Sequence, residues 1–316
     1  MKIIATIHLK EILEELIEAY PQHEFIQRDG IDALTEEDIE TMDVIISYDS
    51  KLNEAVIERA KNLKWIAWFA AGVNHLPLKF IEHKGIILTN ARGVHKIQIS
   101  EYIFSYIMTD YKNVIPFYEH QQQKGYKTKV RHKELFDQTI CFIGTGEIPQ
   151  YAAQLAQAFG MKVIGINTDG RSIEHFNQVF PIDQRQVAFK LADIIVNVLP
   201  ETHETIDLLS VEDFKAMGEE SLFINVGRGT ITKEATLIQA LQEKWIRKAC
   251  LDVYYEEPLS PDNPLYELDN VIMTPHITGN SVNYNRRATE IFKSNLNLGI
   301  EQKTRFKNKV NMSKGY

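Results

Sequence analysis

Cysteine is scarce: Cys141 and Cys250 are the only two in 316 residues. Both sit inside apolar runs that read as buried strands, so no disulfide framework is expected, and no spaced Cys/His set suggests a metal. An apolar run of about 20 residues, the length a membrane-crossing helix needs, is also missing. The opening Met1-Lys2-Ile3-Ile4-Ala5 is too short and too soon polar for a signal peptide. These absences lead to an expectation of a reducing, cytoplasmic setting. Positive charge is not in excess, since 35 Lys and Arg against 43 Asp and Glu leave a formal charge of -8. Nucleic acid is therefore a poor partner. Two local basic stretches, Lys124 to Lys133 and Lys303 to Lys314, read as a solvated face and a frayed terminus. Biased tracts and nucleophile motifs are absent as well.

What is present is an ordinary globular composition, 44% hydrophobic and 25% charged, in a chain long enough for two cores. Short β-branched or aromatic runs begin near Ile3, Phe25, Val44, Trp65 and Ile86. Helical spacing separates most of them, as in Glu11 to Tyr20 and Leu52 to Ala60. A second series runs through Thr139 to Ile143, Lys162 to Ile166, Asp193 to Leu199, Ser221 to Val226, Ala249 to Val253 and Val271 to Thr274. Strands alternating with helices predict two parallel sheets, each wrapped by helices. Trp65 and Trp68 are expected in a buried strand. Between the series, Ile97 to Tyr118 contains no Gly and no Pro before Pro116, and predicts one long connecting helix. A last helical stretch, Val282 to Gly299, is too short to be a domain. It is expected to return to the first core, giving domains of 1–97 plus 281–316 and of 98–280.

Gly144-Thr145-Gly146-Glu147-Ile148-Pro149 follows a predicted strand and opens a predicted helix, Gln150 to Phe159. Glycines at Gly144 and Gly146 suit a tight turn that brings backbone close to a dinucleotide pyrophosphate, with the helix N-terminus beneath it. Pro149 stands where a third glycine is usual and adds bulk there, although proline is acceptable in a first helical turn. At the end of the next strand an acidic residue would select NAD. Here Asn167 leads into Thr168-Asp169-Gly170-Arg171, and a guanidinium suits a 2′-phosphate. NADP is favoured, with NAD the alternative if Asp169 takes the ribose.

Three ionisable residues each lie just beyond a predicted strand: Arg228 in Asn225-Val226-Gly227-Arg228-Gly229, Glu257 before Pro258, and His276 in Thr274-Pro275-His276-Ile277-Thr278-Gly279. A guanidinium there suits a carboxylate, and a carboxylate paired with an imidazole favours its protonated form and fixes its tautomer, which makes a general acid. His75, His95 and His203 have no such support and are expected as turn or surface residues.

Taken in order, the glycine turn, Leu199-Pro200-Glu201-Thr202-His203-Glu204-Thr205, Asn225 to Gly229, Leu251 to Pro258 and Thr274 to Gly279 resemble the D-isomer-specific 2-hydroxyacid dehydrogenase family. The resemblance implies a Rossmann dinucleotide-binding domain beside a flavodoxin-like substrate domain, and hydride transfer between NAD(P)H and a small 2-keto acid of the glyoxylate or hydroxypyruvate kind. It makes Arg228, Glu257 and His276 catalytic. It places Gly144, Gly146, Glu147, Ile148, Asn167, Thr168, Arg171, Leu199, Pro200, Thr205, Val226, Gly227 and Asp252 at the cofactor, Asp252 on the nicotinamide carboxamide. It also implies that backbone N–H groups of the loop holding Ala71 and Gly72 bind the substrate carboxylate together with Arg228 and His276, with Asn74 replacing a usual acid, and that the chain forms a homodimer. The alternative is a dinucleotide-sensing, corepressor-like regulator with little turnover.

Overall fold

The structure, a computed structural model, describes residues 1–312; Lys314, in the basic tail, lies outside the described residues. The chain divides into two compact units, one of Met1–Val94 with the chain from Ser281 on, the other of His95–Asn280.

In the first unit β1 (Lys2–Ala5), α1 (Glu11–Ala19), β2 (Glu24–Gln27), α2 (Glu36–Thr41) and β3 (Val44–Ser47) come first. They are followed by α3 (Glu54–Arg59), β4 (Trp65–Trp68), α4 (Leu78–His83) and β5 (Ile87–Asn90). The five strands are parallel in the order β2-β1-β3-β4-β5. In β3, β4 and β5 every residue is buried, which is why they open as the apolar runs Val44-Ile45-Ile46, Trp65-Ile66-Ala67-Trp68 and Ile87-Leu88 and not as alternation. One face of this sheet packs Ile3, Val44, Trp65 and Ile87 against Leu16 of α1 and against Ala288, Phe292 and Leu296. These last three belong to the final helix of the chain, Tyr284–Leu298. Trp65 is at the centre, stacked on Phe292 at 4.9 Å and meeting Phe306 in a tilted contact at 5.0 Å between ring centroids, with its indole N–H donating to Thr89 at 2.9 Å.

The second unit begins with α5 (Lys96–Tyr111) and α6 (Val114–Gln122), then β6 (Thr139–Ile143), α7 (Glu147–Ala158), β7 (Lys162–Asn167) and β8 (Gln178–Pro181). It continues through α8 (Arg185–Phe189), β9 (Ile194–Asn197), α9 (Val211–Met217), β10 (Leu222–Asn225), α10 (Glu234–Gln242), β11 (Lys248–Leu251) and β12 (Val271–Met273), leaving the final helix as α11. Its seven strands are parallel in the order β12-β11-β10-β9-β6-β7-β8. Alternate residues go to opposite faces. Cys141, Ile143, Ile195 and Phe223 meet Phe189 and Phe214, whereas Ile140, Phe142, Val196 and Ile224 meet Ile103, Ile107, Ala152 and Ala156 of α5 and α7. The alanines of α7 bring it close to α5. Burying each of the large side chains contributes about 1.5–3 kcal/mol.

Two expectations need correction. The connecting helix over 97–118 is broken: α5 ends at Tyr111, and α6 starts after Asn113, whose φ of 53° is left-handed. Asparagine tolerates that conformation without glycine's help. The edge strand β8 was not expected at all, because it is short, ends in Pro181, and buries only Phe180 fully.

Candidate active site

In a parallel sheet every strand ends at the same edge, so the loops after β6, β7, β9, β10, β11 and β12 gather there. Strand order reverses between β6 and β9, and the crevice at such a reversal is where open α/β sheets hold ligands.

The loop after β6 is shaped for a dinucleotide. Gly144 has a φ of 104°, and a β-carbon on it would lie 3.1 Å from the Leu199 side chain. Gly146 is the N-cap of α7, and nothing lies within 4 Å of where its β-carbon would be. Space and helix N-terminus thus coincide, as a pyrophosphate requires. Glu147 and Ile148 form the first helical positions, so their backbone N–H groups have no acceptor in the helix. Pro149 is buried at the third, where proline's missing N–H costs no hydrogen bond; α7 runs on, starting with Gln150 N–H to Gly146 O at 3.0 Å. Across the reversal, Asn197 Nδ2 donates to Asn225 Oδ1 at 2.8 Å, and Asn197 Oδ1 accepts the Leu199 N–H at 3.2 Å. A β-carbon on Gly227 would stand 2.7 Å from Leu199 O and 2.8 Å from Asn197 Nδ2, so glycine is required for β9 and β10 to end side by side. Val226, buried, donates its N–H to Asn197 O at 3.1 Å. Pro200 and Thr205 close the loop on themselves, Thr205 Oγ1 donating to Pro200 O at 2.8 Å.

After β7 the geometry refines the expectation. Asn167 is buried and builds the loop: its Oδ1 accepts Gly170 N–H at 2.7 Å and Asp169 N–H at 3.3 Å, while its Nδ2 donates to Arg171 O at 3.0 Å. Thr168 and Arg171 are presented by that loop. Arg171 Nη1 donates to Asp169 Oδ1 at 2.8 Å, and both side chains are more than half exposed. The Arg171 backbone N–H, followed by its guanidinium, holds the Asp169 carboxyl below the usual carboxylate range. Such an exposed pair is easily broken.

The polar centre stands on the neighbouring strands. Arg228 follows β10 in extended backbone, with Nη1 on Gly227 O at 2.7 Å. His276 follows β12, and its Nδ1 is 2.7 Å from Glu257 Oε2. The other oxygen, Glu257 Oε1, accepts the Tyr254 N–H at 3.0 Å, which fixes the carboxylate. Nδ1 as donor leaves Nε2 to face a substrate. His276 has a φ of 53°, and Asp252 accounts for how that is held. The Asp252 backbone oxygen accepts His276 N–H at 2.8 Å. Its buried carboxylate takes Thr274 Oγ1 at 2.5 Å, Ile277 N–H at 2.9 Å, and the N–H and hydroxyl of Thr278 at 3.0 and 2.6 Å. Asp252 therefore braces the His276 loop from below, a role that the expected carboxamide contact did not include. Tyr106 of α5 extends the network through its hydroxyl, 2.5 Å from Thr274 Oγ1, and burial pushes its phenol pKa up. A cavity of about 330 Å³ opens beside the pair, lined by Tyr254, Leu259, Tyr266, Met273 and Pro275. His75 and His203 are exposed, as expected of surface residues, but His95 is half-buried. Among the described residues no metal-binding cluster occurs and no helix is long and apolar enough to cross a membrane.

Ala71 and Gly72 belong to the first unit, in the loop after β4. Ala71 O accepts Asn90 Nδ2 and Gly72 O accepts Trp68 Nε1, each at 2.8 Å. In a trans peptide N–H and C=O point oppositely, so the N–H groups of Gly72 and Val73 are turned away from those inward donors.

A seven-stranded doubly wound sheet, a glycine cradle at its reversal point and an Arg, Glu and His set on adjacent loops define a dinucleotide-dependent oxidoreductase class of site. Comparison with known proteins agrees. Residues 104–278 match the family model for the D-isomer specific 2-hydroxyacid dehydrogenase NAD binding domain, and the chain belongs to this enzyme family. It is 32% identical to a D-3-phosphoglycerate dehydrogenase of Methanocaldococcus jannaschii over 87% of its own length, and spans about half of that relative, 53%. A glyoxylate reductase of Korarchaeum cryptofilum is 26% identical, covering 82% of this chain and 80% of its own. The crystal structure of a family member from Aeromonas salmonicida superposes with a TM-score of 0.85 at 28% identity, over 98% of this chain and 99% of that one.

Proposed function

We propose that the protein is an NAD(P)H-dependent reductase of small 2-keto acids, of the glyoxylate or hydroxypyruvate kind, with NADPH favoured. The observation that carries this reading is the 2.7 Å contact of His276 with Glu257, on the same sheet edge as Arg228 and the glycine cradle. A bound reduced nicotinamide would supply the hydride to C2 of the keto acid. Gly144, Gly146, Glu147 and Ile148 would hold the pyrophosphate by backbone, with Leu199, Pro200, Thr205, Val226, Gly227 and Asp252 around the rest. Arg228 binds the carboxylate and carbonyl oxygens and stabilises charge growing on the latter. His276 as imidazolium gives its Nε2 proton to the forming alkoxide, leaving the neutral tautomer whose Nδ1–H is accepted by Glu257. The outward N–H groups at Gly72 and Val73 suit the substrate carboxylate. NADPH is favoured because Arg171 is presented on an exposed loop by Asn167, which leaves no acidic group at the strand end itself.

The chain is further proposed to act as a homodimer, supported by Val114, Ile115 and Tyr118, all exposed on α6, and to work in the cytoplasm, where its two free buried thiols stay reduced. The test is loss of NADPH absorbance, and separately of NADH absorbance, with glyoxylate, hydroxypyruvate, pyruvate, phenylpyruvate and 2-ketoisocaproate. Turnover of the small acids with NADPH is expected. Tight cofactor binding without turnover of any would instead support a dinucleotide sensor.

A further inference from the structure

A buried tyrosine fills a core with its ring, but its hydroxyl has to find a partner, and the partner chosen by Tyr254 lies in the site. Tyr254 follows β11 and is buried with the core on that face of the sheet. Its O–H donates to Thr274 O at 2.8 Å, with Leu251 O further off at 3.2 Å. Thr274 O also accepts the His276 N–H at 3.1 Å, so the hydroxyl is fastened to the same carbonyl as the backbone of His276. Burial pushes the phenol pKa up, which keeps the donor proton in place.

The backbone of Tyr254 meets the other two members of the set. Its N–H donates to Glu257 Oε1 at 3.0 Å. A β-carbon on Gly229, next to Arg228, would fall 1.9 Å from the Tyr254 carbonyl carbon, so glycine lets the Arg228 loop lie directly on this residue. Any residue could make those backbone contacts; the hydroxyl bond needs tyrosine. Neither carbonyl depends on the hydroxyl for a partner, because Leu251 O accepts the Thr274 N–H at 2.9 Å and Thr274 O has the His276 N–H. What the extra bond adds is placement.

We infer that Tyr254 is a positioning residue for the His276 and Glu257 pair. Its N–H holds the carboxylate, its hydroxyl holds the strand end that leads to the imidazole, and the ring between them sets the spacing at which Nδ1 and Oε2 meet at 2.7 Å. This rests on the reading of the pair as the proton-transfer centre of a 2-keto acid reductase.

The test is Tyr254→Phe in the full chain, which removes one oxygen and keeps the ring and both backbone contacts. The first readout is kcat and KM for glyoxylate and hydroxypyruvate with NADPH. The second is the NMR resonance of the His276 Nδ1–H in protein isotope-labelled at its histidines, identified by its absence in His276→Ala. NADPH affinity and melting temperature are measured alongside. A catalytic group misplaced by about an ångström loses about a hundredfold in rate, and freeing one tether of several moves it less, so kcat should fall about tenfold with KM and NADPH affinity within about threefold. The Nδ1–H resonance should move toward that of a weaker hydrogen bond, and the melting temperature should change by no more than about 4 °C, as for one lost hydrogen bond.

Either readout unchanged would overturn the inference. So would a parallel loss of kcat, NADPH affinity and melting temperature, which is what core packing alone predicts, or a wild-type chain that shows no hydrogen-bonded Nδ1–H resonance. Wild-type turnover separates the two readings: a protein that turns over no keto acid, yet whose resonance moves in Tyr254→Phe, would retain the positioning role and lose the reductase.

Discussion

Asp252 holds His276 twice over: its backbone oxygen takes the His276 N–H at 2.8 Å, and its carboxylate ties down the next two residues, Ile277 and Thr278. The left-handed backbone at His276 persists because these bonds over-determine it.

Asp252→Asn replaces an acceptor oxygen by an NH2 group facing donors. Buried donors left without partners cost about 1–3 kcal/mol each, and a catalytic group misplaced by about an ångström loses about a hundredfold in rate. The variant should therefore unfold at lower urea and lose about a hundredfold in kcat, with NADPH affinity changed only a few-fold. A variant that loses NADPH binding but keeps its stability would make the cofactor contact, and not the brace on the His276 loop, the main work of the Asp252 carboxylate.

His276→Ala should keep NADPH affinity, read by fluorescence titration, and lose about 10²–10⁴ in kcat, the range of general-acid catalysis. Glu257→Gln should also lose rate, because the carboxylate that accepts the imidazole Nδ1–H and orients the ring is gone. Near-normal turnover of His276→Ala would remove the acid role.

Arg171 and Asp169 make opposite predictions about the cofactor. Removing the guanidinium in Arg171→Ala should lower kcat/KM for NADPH by about 10- to 100-fold and leave NADH within a few-fold. Asp169→Asn frees Arg171 and removes a like charge from the 2′-phosphate, so NADPH use should improve a few-fold. If NADH use collapses in Asp169→Asn instead, Asp169 is the ribose ligand and the enzyme prefers NAD.

Stability should fall in acid through Asp110. Its nearly buried carboxylate meets Arg247 at 2.5 and 3.0 Å and Lys248 at 3.2 Å. Burial alone would raise its pKa, but the hydrogen bonds and charge of Arg247, with Lys248, bring it below the ordinary value. A depressed folded pKa means the stabilisation is complete above the unfolded value, about 3.9, and is lost as pH falls through the folded one. Asp110→Asn should cost about 3 kcal/mol at pH 7, and the gap from wild type, measured by urea unfolding, should narrow below about pH 4. A gap independent of pH would mean the loss is packing and not charge.

Much of this molecule was legible from the residues alone because parallel strands buried on both faces are written as continuous apolar runs, and because the loops at one sheet edge carry the chemistry in chain order. Gly144, Arg228, Glu257 and His276 could be placed that way. Where the sequence misled, the missing information was local. Asn113 breaks a helix with no Gly or Pro to announce it, and β8 has a partly polar edge pattern that looks like loop. Asn167 resembles a ribose ligand until its side chain is seen to be used up inside its own loop. His95 and Tyr106 carry no signal of their own, since what they face is decided by the packing of α5 on the sheet and not by spacing.

The packing of Phe292 and Phe306 on Trp65 also fixes a timetable. During synthesis, with domains folding as units as they emerge, the nascent chain up to Asn280 contains everything the dinucleotide-binding unit needs. The unit that begins at Met1 must wait, with one face of Trp65 uncovered, until α11 leaves the ribosome. Of the two units, the one whose chain starts first is the one whose core closes last.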